Sequence, residues 1–149
     1  MLRSIIAVVV TYIVMSVLIV AAFMGMWFGL GPDRLLQPGS FQGSMLMNFL
    51  APAVSVLAGI FGGWMCAKVG RSTKPVVVLA SLVLVLGLAM AYFTLQKPFP
   101  ADPRAPGMTV QQIFEVGREP TWFAIANPII GAAAVLLGGM LAGAPRKRI

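Results

Sequence analysis

The stretch APAVSVLAGIFGGWMCA (51–67) holds no acid and no base, and it returns in altered form as NPIIGAAAVLLGGMLAG (127–143). A proline stands second in both, Pro52 and Pro128, and a glycine pair recurs as Gly62–Gly63 and Gly138–Gly139. Every fourth residue of the first copy is small: Ala51, Ser55, Gly59, Gly63 and Ala67. The second copy carries Asn127, Gly131, Val135, Gly139 and Gly143 at the same spacing, with only Val135 bulky. Residues four apart share one face of an α-helix. Lipid tails are as apolar as leucine, so helices in a bilayer gain little by hiding leucine and more by close backbone approach, which small residues permit. Both rows are therefore expected to be helix-packing ridges, with the neighbour they face left open. Shorter rows occur at Ala21, Gly25 and Gly29 and at Gly87 and Ala91.

Composition extends this to the whole chain. Of 149 residues, 59% are hydrophobic and 10% charged, against about 25% charged in a soluble domain. Four apolar runs carry the excess: 4–30, 45–67, 76–95 and 122–142. At about 1.5 Å per residue each can cross a hydrocarbon core about 30 Å thick. The first run is too long for the apolar segment of a secretory signal and has no good cleavage pattern, so an uncleaved span is expected. The expected fold is an all-α integral membrane protein of one domain, residues 1–149. Its four spans form a compact bundle of two in-out-in hairpins, with outer loops 31–44 and 96–121 and an inner loop 68–75. A duplication would explain the shared proline and glycine pair; convergent packing would explain them equally.

Charge sets the expected threading. Arg3, Lys68, Arg71, Lys74, Arg146, Lys147 and Arg148 flank one set of span ends, with no acid among them. Arg34, Lys97, Arg104 and Arg118 flank the other, with all four acids, Asp33, Asp102, Glu115 and Glu119. Basic residues stay inside, which puts both termini in the cytoplasm of a bacterium and the chain in its inner membrane. The bases hug helix ends without interleaved stacking aromatics, so anionic lipid headgroups, not nucleic acid, are the expected partners. Trp27, Phe28, Tyr92, Phe93, Trp122 and Phe123 fall near outer span ends and suit an interfacial belt.

Pro52 and Pro128 each remove a backbone donor inside a span, so kinks are expected there. Asn48, Ser55 and Asn127 lie beside them. These three either line an outward-facing polar pocket or hydrogen-bond between helices as glue. In the second outer loop, KPFPADPRAP cannot keep a regular helix, whereas Thr109 and Gln112 make a capping box for a short amphipathic helix. Val110, Ile113 and Phe114 share one of its faces.

Absent chemistry narrows function. Without histidine, imidazole-ligated haem, histidine zinc sites and serine–histidine pairs are excluded. The single cysteine, Cys66, cannot form an internal disulfide. No span contains an acid or base, the usual mark of an ion-coupled carrier. No catalytic residue, cofactor or metal is expected. In size and span number the chain resembles small multidrug exporters and fluoride channels. It lacks the acid of the former in its first span, and GIFGGWMCAKVGR (59–71) has no counterpart of the latter's glycine-rich arginine signature. The expected role is a non-catalytic accessory or assembly component, as a homo-oligomer or within a larger membrane complex. The alternative is a small-solute or ion channel or carrier using the pocket at Asn48, Ser55 and Asn127.

Overall fold

The computed structural model describes residues 2–100, 103–105, 107–116 and 119–143. Asp102, Arg118, Arg146, Lys147 and Arg148 lie outside the described residues. Among the described residues six helices follow in order: α1 Leu2–Leu30, α2 Pro32–Leu35, α3 Met45–Gly70, α4 Lys74–Gln96, α5 Val110–Val116 and α6 Thr121–Leu141. Among the described residues there is no strand, only an isolated antiparallel bridge between Leu36 and Gly43. Helices α1, α3, α4 and α6 are long and apolar enough to cross a membrane, with mean hydropathies of 1.8 to 2.9 over their best windows. Their outward faces carry Val17, Phe49, Leu57, Val85, Met90 and Met140, all exposed. Water would not tolerate so large an apolar surface on a monomer. The chain is a multi-pass membrane protein.

The helices start and stop where local chemistry dictates. The Ser44 side chain accepts from Met47 N and donates to the Arg34 carbonyl at 2.7 Å, capping α3 and tying it to the first loop. Arg71 turns left-handed at φ 51 to end α3, and Arg3 Nε donates to the Val69 carbonyl at 2.9 Å, which places a cation on the negative end of the helix dipole. Pro75 then opens α4 within its first turn, where a missing N–H costs nothing. Thr109 and Gln112 form the expected capping box. Thr109 N donates to Gln112 Oε1 at 2.9 Å, and Gln112 N donates to Thr109 Oγ1 at 3.4 Å. Neither Pro52 nor Pro128 ends its helix.

All five members of the α3 row, Ala51, Ser55, Gly59, Gly63 and Ala67, are buried. They face α6. A Cβ at Gly59 would lie 2.7 Å from Ala134 Cβ and 3.0 Å from the Gly131 carbonyl oxygen, and one at Gly63 would strike the carbonyl of Val135. In return, a Cβ at Gly138 would strike the carbonyl of Ile60. The contact is backbone on backbone, and residue numbers rise together, so α3 and α6 run parallel. Gly62 meets Met15 of α1, and Gly70 lies near Ala7, so α1 runs antiparallel to α3. Gly87 meets Pro128, Gly131 meets Val83 and Gly139 meets Val76, so α4 runs antiparallel to α6.

These contacts explain why the glycines come in pairs. Neighbouring residues on a helix point about 100° apart. Gly63 admits α6 while Gly62 admits α1; Gly138 admits α3 while Gly139 admits α4. Each of the two central helices packs most closely against two neighbours and needs a gap toward both. The ridge expected on α6 is corrected in one respect. A row of spacing four drifts about 40° per step, and the row does not present one face throughout. The Cβ positions of Gly131 and Gly139 point toward Val83 and Val76 of α4, while the Gly131 carbonyl and Gly139 N still lie against Gly59 and Gly63 of α3, beside Ala134. Gly143 lies beyond the helix, at φ +80, with no described atom within 4 Å of where a Cβ would stand. It is a left-handed helix end of the kind glycine favours, not a packing residue.

The core of this bundle lies toward the basic end. Ala7, Val8, Met15, Cys66, Val76, Leu79 and Val135 are all buried in it. A second cluster lies at the loop end, where Trp27, Leu35, Leu36, Phe41 and Ile113 gather beneath α5.

Candidate functional site

The loop end encloses a cavity of about 270 Å³. Phe23 and Trp27 of α1 line it with Leu36, Phe41 and Gly43 of the first loop and Met47, Asn48 and Ala51 of α3. Thr94 and Lys97 close it from α4, Ile113 and Phe114 from α5, and Glu119, Pro120 and Phe123 from the entry to α6. Every membrane-spanning helix contributes a wall. Five of the lining side chains are aromatic rings, and Trp27 and Phe114 stack with centroids 5.1 Å apart. The volume is just below the usual range for small-molecule clefts, about 300 to 1,000 Å³.

The rings reach the cavity through helix geometry. In the pairs Trp27–Phe28 and Trp122–Phe123, consecutive side chains diverge by about 100°. Trp27 and Phe123 are 5% and 6% exposed, whereas Phe28 and Trp122 are 75% and 50% exposed. The belt expected at the outer span ends therefore divides into rings that face outward and two that turn in. Tyr92 and Phe93 both face outward.

Two loops roof the cavity and hold each other. Arg104 N donates to the Gly39 carbonyl at 3.0 Å, and Arg104 Nη2 donates to Asp33 Oδ1 at 2.8 Å. The Arg104 side chain is only 7% exposed, while Asp33 is 88% exposed. Water around Asp33 screens the pair, leaving about 0 to 1 kcal/mol for the ion pair itself. Most of what Arg104 contributes is the packing of its stem. Arg104→Ala should therefore speed protease cleavage of the second loop at least several-fold more than Asp33→Ala does. Equal acceleration by both would mean that the charge, not the packing, holds the roof.

The three polar residues expected to share a pocket are placed apart. Asn48 lines the cavity, but its amide donates to the Gly43 carbonyl at 3.2 Å and so also staples the first loop to α3. Ser55 is buried, and its hydroxyl donates back to the Ala51 carbonyl at 3.2 Å within its own helix. Asn127 does not line the cavity, and its Oδ1 is buried with no hydrogen-bond partner among the described residues. The cavity is walled by rings and aliphatic groups, not by amides. The residues that the sequence reading missed, Phe23, Phe41 and Ile113, are apolar and carry no chemical signature. Only their nearness to loop boundaries could have pointed to them.

Two charged side chains line the space. Lys97 is not free of partners. Glu119 has neither a hydrogen bond nor an ion pair among the described residues. Much of the Glu119 residue is open at the cavity mouth, yet protein crowds its carboxyl, and that loss of water pushes its pKa above the usual value.

Toward the basic end the cavity stops. None of its described lining residues lies farther along α3 than Ala51 or along α6 than Phe123. Beyond them come the Gly59 and Gly63 contacts with α6, and then Leu79 and Val135, both 0% exposed. The arrangement is a cup with a closed floor. Compared with protein families, curated proteins and solved structures, the chain matches none.

Proposed function

We propose that this chain is a non-catalytic accessory protein of a bacterial inner membrane that holds a small guest in a cup on the outer face. The observation that carries the proposal is a ring-lined cavity sealed below by backbone contact between α3 and α6. A conduit needs a way through. Here one would have to part helices whose glycines, Gly63 and Gly138, sit against carbonyls of the opposite helix.

In this proposal the spans form two in-out-in hairpins within one compact four-helix bundle. Both termini face the cytoplasm, and Arg3, Lys68, Arg71 and Lys74 lie against anionic headgroups. The uncovered row on α1 favours company. Positions Gly25 and Gly29 have no atom within 4 Å of a Cβ, and Ala21 is exposed. Small residues there would admit a second copy or a subunit of a larger complex.

The alternative is a small-solute carrier, and the unpartnered Asn127 oxygen is the observation in its favour. Reconstitution separates the two. Liposomes containing the protein are expected to show no solute-specific flux, and native mass spectrometry after mild extraction should show a defined oligomer or a stoichiometric companion. Flux that disappears in Asn48→Leu and Asn127→Leu would overturn the accessory proposal in favour of the carrier.

A further inference from the structure

We propose that the cup binds a small organic cation, an ammonium bearing apolar substituents, with Glu119 as its counter-charge and the aromatic walls as its seat. The inference rests on the binding role proposed above and names the guest. Trp27, Phe41, Phe114 and Phe123 present rings to one space. Ring faces are electronegative and attract cations, most strongly where water is excluded, and quaternary ammonium groups are the usual guests of such cages. An apolar cavity alone would suit a neutral molecule equally well.

Glu119 decides between them. Glu119 stands at the mouth of the ring-lined space, where its carboxylate can pair with a cation seated on the rings. The opposing charge must be weighed too. Lys97 from α4 is the only other charged group among the described lining residues; α1, the first loop, α3 and α5 contribute none. Lys97 already has an interaction of its own, whereas Glu119 has none among the described residues. Of the two, Glu119 is the charged group left without a partner among the described residues. Its elevated pKa adds a signature: a guest held by the Glu119 carboxylate is released as the pH falls through that value and the group takes up a proton.

The test uses the full chain in a neutral maltoside detergent, with Trp64→Phe and Trp122→Phe in place so that tryptophan fluorescence reports from Trp27 alone. The probes are benzyltrimethylammonium, its uncharged carbon analogue neopentylbenzene, and benzoate. Saturable binding of the ammonium is expected, at least tenfold tighter than either of the others. Glu119→Gln should weaken the ammonium at least tenfold, leave neopentylbenzene unchanged, and flatten the pH dependence. Its melting temperature reports whether the variant is folded. If a folded Glu119→Gln protein binds the ammonium as before, or if benzoate binds best, the cation proposal is overturned while the cup stands. If no probe binds, the cup itself is overturned. A choline-headgroup detergent added to the micelles identifies the source of the guest: competition supports a lipid headgroup cation, and no competition supports a free one.

Discussion

Replacing Gly63 with leucine is expected to abolish the folded, monodisperse protein. Even alanine at this position puts its Cβ into the Val135 carbonyl and within 2.9 Å of Gly139 N. Both obstacles are backbone atoms of a helix that is itself hydrogen-bonded along its length, so no rotamer change makes room. The two helices must separate, which gives up close contact along the whole Gly59–Gly63 segment. Overpacking a core usually costs about 1 to 3 kcal/mol, and Gly63→Ala should reach the upper end of that range or pass it. Two controls make the result interpretable. Gly62→Ala meets the sulfur of Met15 at 2.8 Å, the far end of a flexible side chain that can move aside. It should cost less. Gly25→Ala meets no atom within 4 Å and should change stability by no more than about 0.5 kcal/mol. Unfolding in mixed micelles, titrated with a denaturing detergent, measures all three. A Gly63→Leu protein that melts with the wild type would mean that the α3–α6 contact does not hold the bundle together.

The contrast between Gly63 and Gly25 also shows what the sequence could reveal. Both lie in rows of small residues at spacing four, and such a row identifies a helix that can be approached closely. It does not say by what. Gly63 is covered from within the chain and Gly25 is not, a difference set by the directions of all four spans together. The same limit produced the corrected row on α6. Spacing alone ran from Asn127 to Gly143, whereas Gly131 and Gly139 give α3 their backbone and α4 their Cβ positions, and Gly143 lies past the helix. The four long apolar helices and the Thr109–Gln112 cap were legible because each depends on residues close together in the chain. The cavity depends on residues from Phe23 to Phe123, brought together only by tertiary structure. Asn48, Ser55 and Asn127 drew attention as the polar residues in apolar surroundings. Two of them are placed away from the cavity: Ser55 satisfies its hydroxyl on the Ala51 carbonyl of its own helix, whereas the buried Asn127 oxygen has no partner among the described residues.

Impermeant thiol labelling of intact cells should be nearly all or none, and it tests the threading directly. The native protein should stay unlabelled, because its single cysteine, Cys66, is fully buried. That silence makes single introduced cysteines readable. Gln42 and Glu115 are exposed at the loop end; Gln42→Cys and Glu115→Cys should label from outside. Thr73 is exposed at the basic end, and its side chain makes no capping bond; Thr73→Cys should label only after the cells are permeabilised. The expected ratio is at least about tenfold, because Lys and Arg number seven at the basic end against four at the loop end. Four bases and four acids cancel at the loop end, so the whole net charge of +7 belongs to the other. Each base held back from the outer side is favoured by the same insertion bias, and the excess of three bases at the basic end acts in one direction. Equal labelling of Gln42→Cys and Thr73→Cys would mean that the chain inserts in both orientations. The cup would then open to both sides of the membrane, and no single outer face could be assigned to it.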